Sequence, residues 1–75
     1  MGTEFQLDCK GLKCPQPVIR IKKHMSKMES GDSLSVICTD PLAMIDVPHF
    51  VVTANHQLLS KATEGGEYRF VIQKG

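Results

Sequence analysis

The chain has 75 residues, 41% of them hydrophobic, with nine Lys and Arg against eight Asp and Glu for a net charge of +1. A chain this short buries about 60% of the surface it exposes when unfolded, which leaves one thin core and no enclosed cofactor cavity or second lobe. The apolar content excludes a disordered tail, and no apolar run approaches the ~20 residues that span a bilayer.

Residues 1–75 are read as one domain, with residues 1–5 expected to be disordered or vector-derived, so that Phe5 carries little weight. Phe5-Gln6-Leu7-Asp8 alternates and predicts a short first strand, with Gly11 in the turn after it. Val18, Ile21, Met25 and Met28 recur at helical spacing, which predicts a helix from Pro15 to about Met28, and Pro15 suits the first helical position. Gly31-Asp32 stops that helix. Ser33 to Thr39 is a second strand, broken by Asp40-Pro41. Asp46 is the expected N-cap of a second helix, with Pro48 in its first turn and Phe50, Val51 and Ala54 continuing it. Asn55 ends the helix in a left-handed conformation, and Gln57 to Ala62 is a third strand. Glu64-Gly65-Gly66-Glu67 is a hairpin turn into a fourth strand from Tyr68 to Gln73. The order is βαβαββ, an α/β two-layer sandwich with two helices on one face of a four-stranded mixed sheet.

The small net charge hides an asymmetry. Lys10, Lys13, Arg20, Lys22, Lys23 and Lys27 fall in a stretch without acids between Asp8 and Glu29. Such a field steers anionic partners or holds an anionic adduct. Lys22, Lys23 and Lys27 are explained equally well as cations near a helix C-terminus. Lys10 and Lys13 are not, because they precede the helix and flank Cys14.

Cys14, in Cys14-Pro15-Gln16-Pro17, is the residue expected to carry chemistry. At a helix N-cap a thiolate faces free backbone N–H groups, here chiefly those of Gln16 and Val18, and the positive end of the helix. This predicts a lowered thiol pKa. The gain in thiolate fraction is largely offset by lower nucleophilicity, so such a site serves better as a seat for an anionic sulfur, as in a persulfide, than as an accelerator. The bland reading is a small capping residue that happens to be sulfur, but Ser, Thr, Asp or Asn would cap better. Hydrolysis by a Cys–His pair needs a base within reach. His24 lies more than about 10 Å down the same helix, and nothing in the sequence brings His49 or His56 to the thiol. The Cys-x-x-Cys spacing of dithiol redox sites is missing, since Pro17 occupies the second position. A Cys9–Cys14 disulfide is one option for Cys9 and a plain strand-end residue is the other; Cys38 reads as core. Three Cys and three His without paired ligand spacing predict no metal site, and the odd cysteine count, with no signal-type apolar region, points to a reducing, cytoplasmic setting.

Leu7-Asp8, Gly11-Leu12, Cys14-Pro15-x-Pro17, Gly31-Asp32, Thr39-Asp40-Pro41, Asp46-x-Pro48-x-Phe50, His56 and Tyr68-x-Phe70 together resemble the TusA family of sulfur carriers, also called SirA-like, from about Gln6 to Lys74. The resemblance implies a βαβαββ sandwich and a sulfurtransferase in which Cys14 accepts sulfane sulfur as a persulfide and passes it to another protein's cysteine. The implied donor is a cysteine desulfurase or rhodanese-like protein, and the implied acceptor is of the DsrE or TusD type. The sulfur would go toward tRNA 2-thiolation, molybdenum cofactor or sulfur oxidation. Pro15, Gln16 and Pro17 would shape the sulfur seat, with Lys10, Lys13 and Arg20 as electrostatic support. No cofactor, membrane or direct nucleic-acid contact is expected. The rival reading is a non-catalytic regulatory or RNA-binding module on a similar frame, for which one Tyr, three Phe and no Trp give poor stacking support. A carrier loaded on a C-terminal Gly-Gly is discounted, because the Gly65-Gly66 pair is internal.

Overall fold

In the computed structural model, which describes residues 2–75, the alternating apolar residues fold into four strands and two helices. These are β1 (Glu4–Cys9), α1 (Gln16–Met25), β2 (Ser33–Cys38), α2 (Ala43–Thr53), β3 (Gln57–Glu64) and β4 (Glu67–Gln73). The sheet order is β1-β2-β4-β3. β1 and β2 run parallel, and β4 is antiparallel to both β2 and β3, so the sheet is mixed.

Period-two alternation decides which face is covered. Cys9, Leu34, Val36, Cys38, Phe70 and Ile72 all point to one side, where Ile21, Met25, Met28, Ala43, Val47 and Val51 meet them from the two helices. Register keeps these rows aligned: Leu34 lies opposite Ile72, Val36 opposite Phe70, and Cys9 opposite Cys38. One shared apolar layer results, and both helices lie over the same face of the sheet.

The boundaries differ from the sequence reading in informative places. Helix α1 ends at Met25, three residues early, because the N–H groups of Lys27 and Met28 bond three residues back, to His24 and Met25, rather than four. The tightened turn still buries Met28. Helix α2 begins at Ala43, three residues before the expected N-cap Asp46, which lies inside the first turn. Asp40 starts it instead. Its carboxylate accepts the Leu42 N–H at 3.0 Å and its carbonyl accepts the Ala43 N–H at 2.9 Å. Pro48 consequently sits inside the helix, where it can donate no backbone hydrogen bond.

Two turns form as their residue types demand. Asn55 has φ 61°, and the His56 and Asn55 N–H groups bond to the carbonyls of Val51 and Val52. This is the six-to-one and five-to-two pattern that closes a helix through a left-handed residue. Gly65 and Gly66, with φ 56° and 81°, make the tight hairpin between β3 and β4. At the other end, Met1 lies outside the described residues. The rest of the segment expected to be disordered or vector-derived has defined partners: the Thr3 N–H donates to Asp32 at 2.8 Å, and Glu4 and Phe5 pair with Ser33 and Leu34.

Candidate functional site

Parallel neighbours deliver their following loops to the same end of the sheet, which is where α/β proteins collect functional groups. The loops after β1 and β2 meet there. The Gly11 N–H, from a residue at φ 80°, donates to Thr39 Oγ1 at 2.9 Å. The Cys14 N–H donates to Asp40 Oδ2 at 2.8 Å. Asp40 thus joins the thiol-bearing loop to the start of α2, and Asp46, inside the first turn of that helix, receives a hydrogen bond from the Cys14 thiol. Cys14 itself is exposed. Beside it Gly11, Leu12, Lys13, Thr39, Asp40 and Pro41 line a shallow hollow of about 300 Å³.

The electrostatics reverse the expectation. The sequence predicts that Cys14 caps α1 and is acidified by the helix N-terminus. The N-cap is Pro15, one residue later, and the Gln16 N–H is spent on the Lys13 carbonyl at 2.8 Å. Prolines at 15 and 17 remove two further donors. What faces the sulfur is carboxylate. The hydrogen bond to Asp46, then desolvation and the charges of Asp46 and Asp40, hold the Cys14 thiol above its ordinary value of 9.0. The same geometry lowers Asp40, whose carboxylate is stabilised by the backbone N–H groups of Cys14 and Leu42 and by the Lys13 charge. The resting cysteine is therefore a thiol rather than an anion.

The supporting residues divide accordingly. Pro15, Gln16 and Pro17 follow Cys14 into the first turn of α1, with Pro17 buried and the Cys14–Pro15 peptide cis. Lys13 acts on Asp40. Lys10 pairs at 3.9 Å with Asp8, which also accepts the Lys10 N–H, and the Arg20 charge acts on Cys9. Asp40 and Asp46 are the site residues that sequence reasoning missed. The sequence presents them as a strand breaker and a helix cap; the available signal is that Asp40 stands one residue and Asp46 two residues before a proline, in the segment following the second strand.

Cys9 and Cys38 are fully buried register partners, free rather than bridged, so Cys9 faces Cys38 and not Cys14. The hydrogen bond between them and burial hold Cys38 protonated. The histidines serve elsewhere. His24 stacks edge-on against Phe5 at 5.5 Å, His56 Nδ1 accepts the Gly75 N–H at 3.0 Å, and His49 is exposed on α2. Among the described residues no group of three or more His, Cys, Asp or Glu is placed to hold a metal ion, and no helix is long and apolar enough to cross a membrane.

A two-layer βαβαββ sandwich with one exposed cysteine, set where two parallel strands end and partnered by a carboxylate, defines a small thiol-bearing α/β protein whose reactive group lies open to other molecules. Comparison with known proteins narrows the class. A sequence model of the family described as sulfurtransferase TusA matches residues 5–74, and the chain belongs to that family of sulfurtransferases and sulfur carriers. Among solved structures it is similar to a SirA-like protein from Desulfitobacterium hafniense, with a TM-score of 0.84 and 23% identity over 95% of this chain and 97% of that one. That likeness speaks for the fold.

Proposed function

We propose that Cys14 carries sulfane sulfur as a persulfide between proteins. The observation that carries this reading is an exposed thiol hydrogen-bonded to Asp46, in a chain that belongs to a sulfurtransferase family. Asp46 is the base in reach. As Cys14 Sγ attacks the outer sulfur of a donor persulfide, its proton passes to the Asp46 carboxylate. The donor's S–S bond breaks, its cysteine leaves as a thiolate, and Cys14 gains one sulfur with no net oxidation or reduction. An acceptor thiolate then attacks that outer sulfur, and Cys14 Sγ leaves and recovers the proton from Asp46.

The acidic surroundings suit transfer better than storage. With Asp46 holding the proton, a persulfide anion beside the Asp40 carboxylate is disfavoured by like charge, which raises the tendency of the loaded form to hand its sulfur on. At rest the same carboxylates keep the thiol protonated and less open to stray electrophiles. Donors of the cysteine desulfurase or rhodanese type, acceptors of the DsrE or TusD type, delivery toward tRNA 2-thiolation, molybdenum cofactor or sulfur oxidation, a cytoplasmic setting and a single-domain carrier over residues 1–75 complete the proposal. Leu42 and Ile45, 52% and 69% exposed on the turn and helix beside Asp46, offer apolar contact to such partners. Incubation with a cysteine desulfurase and cysteine should add one sulfur by intact-mass spectrometry, and none to Cys14→Ser. A Cys14→Ser protein that still gains sulfur overturns the assignment.

A further inference from the structure

The two edges of the sheet are built differently. β3 is exposed along almost its whole length, carries Lys61, and is irregular between Leu58 and Ser60. Those are the features that keep an edge strand from pairing with other chains. β1, the other edge, has six residues in unbroken register with β2, with no proline, no lysine and no bulge. Along it runs a groove of about 690 Å³ between β1 and α1. Phe5 and Leu7 form its apolar wall, and Ile19, 52% exposed, forms the opposite rim. Arg20, Lys23 and Lys27 also line it. The two ion pairs among the described residues involve Lys10 and Arg69, so these three cations keep their charge for another molecule. His24 lines the groove too, and its Nδ1 is a buried polar atom that folding leaves unmatched.

We propose that the open edge of β1 and the basic groove beside it dock an extended acidic segment of a partner protein, which adds to the sheet as a fifth strand. Backbone hydrogen bonds to β1 supply the pairing. On the helix side, one apolar side chain of the segment meets Phe5, Leu7 and Ile19 while its carboxylates meet Arg20, Lys23 and Lys27. β1 carries two acids, Glu4 and Asp8, but both alternate to the face away from α1, and the groove side from Cys9 to Met28 contains no acid to oppose such a segment. Gln16 stands at the head of the groove, two residues from Cys14, so a strand laid there ends near the thiol. A single-stranded nucleic acid fits less well, because the groove's rings, Phe5 and His24, are packed on each other rather than free to stack bases. That the docked partner gives or takes sulfur rests on the relay reading; the docking itself does not.

The probe is the peptide acetyl-Thr-Asp-Thr-Leu-Thr-Glu-Thr-amide, titrated into the ¹⁵N-labelled full chain at low salt. Shifts should concentrate at Phe5, Leu7, Ile19 and Lys23, with slowed exchange of β1 amides. The Lys23→Glu/Lys27→Glu double variant, whose spectrum should remain dispersed, should bind about tenfold more weakly, and the peptide N-methylated at alternate amides should not bind. Any one of four results overturns the proposal: no shifts at about 1 mM peptide, shifts on β3 instead, undiminished binding of the N-methylated peptide, or a heptauridylate RNA binding the same residues more tightly. Because the readout is binding to unloaded protein, it stands or falls separately from sulfur loading on Cys14.

Discussion

Replacing both buried cysteines in a Cys9→Ala/Cys38→Ala variant separates the buried thiols from the one proposed to transfer sulfur. Both side chains have no solvent exposure and lie opposite each other at the ends of β1 and β2, directly under the loops that carry Cys14 and Asp40. Each substitution removes one buried heavy atom, at about 1 kcal/mol for lost transfer energy and somewhat more for the cavity left behind. Removing both together leaves neither thiol without its hydrogen-bond partner, so no orphaned polar group adds to the cost. The expected loss is about 2–3 kcal/mol. A 75-residue domain has roughly 4–11 kcal/mol to lose, and at this size 1 kcal/mol moves the Tm by about 6 °C. The variant should therefore melt about 12–18 °C lower in a calorimetric or circular-dichroism scan and still be folded at 25 °C. Intact-mass spectrometry after reaction with a desulfurase should show the same single added sulfur as the parent chain. A variant that is folded by its NMR dispersion yet gains no sulfur refutes the reasoning, because one of the buried thiols would then be part of the relay.

Asp46→Asn should lower the Cys14 pKa, since the carboxylate is the largest cause of its elevation; the iodoacetamide alkylation profile should move to lower pH, and an unmoved profile removes Asp46 as the thiol's partner. Asp32 and Asp40 are both held below 3.8 by backbone N–H groups, those of Thr3 and Glu29 and those of Cys14 and Leu42 respectively. Their contribution to stability is present above pH 3.8 and is lost as pH falls through the depressed values. Urea denaturation from pH 5 to about pH 2 should show this loss, reduced in Asp40→Asn, whose Cys14 amide should also exchange faster. Gly66→Ala meets no atom within 4 Å but must adopt φ 81°; it should cost about 1 kcal/mol, read as a Tm drop of about 6 °C, with sulfur loading unchanged.

Local rules carried the sequence a long way because most of this fold is locally specified. Alternation in Phe5–Asp8 and Tyr68–Gln73, the i, i+4 spacing of Ile21 and Met25, the left-handed demand at Asn55 and the paired glycines each name one conformation and one inward face. Element order and sheet class follow from them. The candidate residue was legible as well, since a cysteine between Lys13 and Pro15 at the entry to a helix has few purely structural uses, and the structure exposes it.

The charge environment of that residue was not legible. An N-terminal helix dipole is a local property and suggested an acidified thiol; the two carboxylates that outweigh it come from Asp40 and Asp46, 26 and 32 residues away in the chain. Only the parallel pairing of β1 with β2 brings their following loops together, and nothing in a linear pattern states which loops will touch. Sequence alone determined the elements, their inward faces and the cysteine, because those depend on neighbours a few residues apart. Tertiary structure alone decided that this cysteine rests as a thiol against an acid, because electrostatics act through space and ignore separation along the chain.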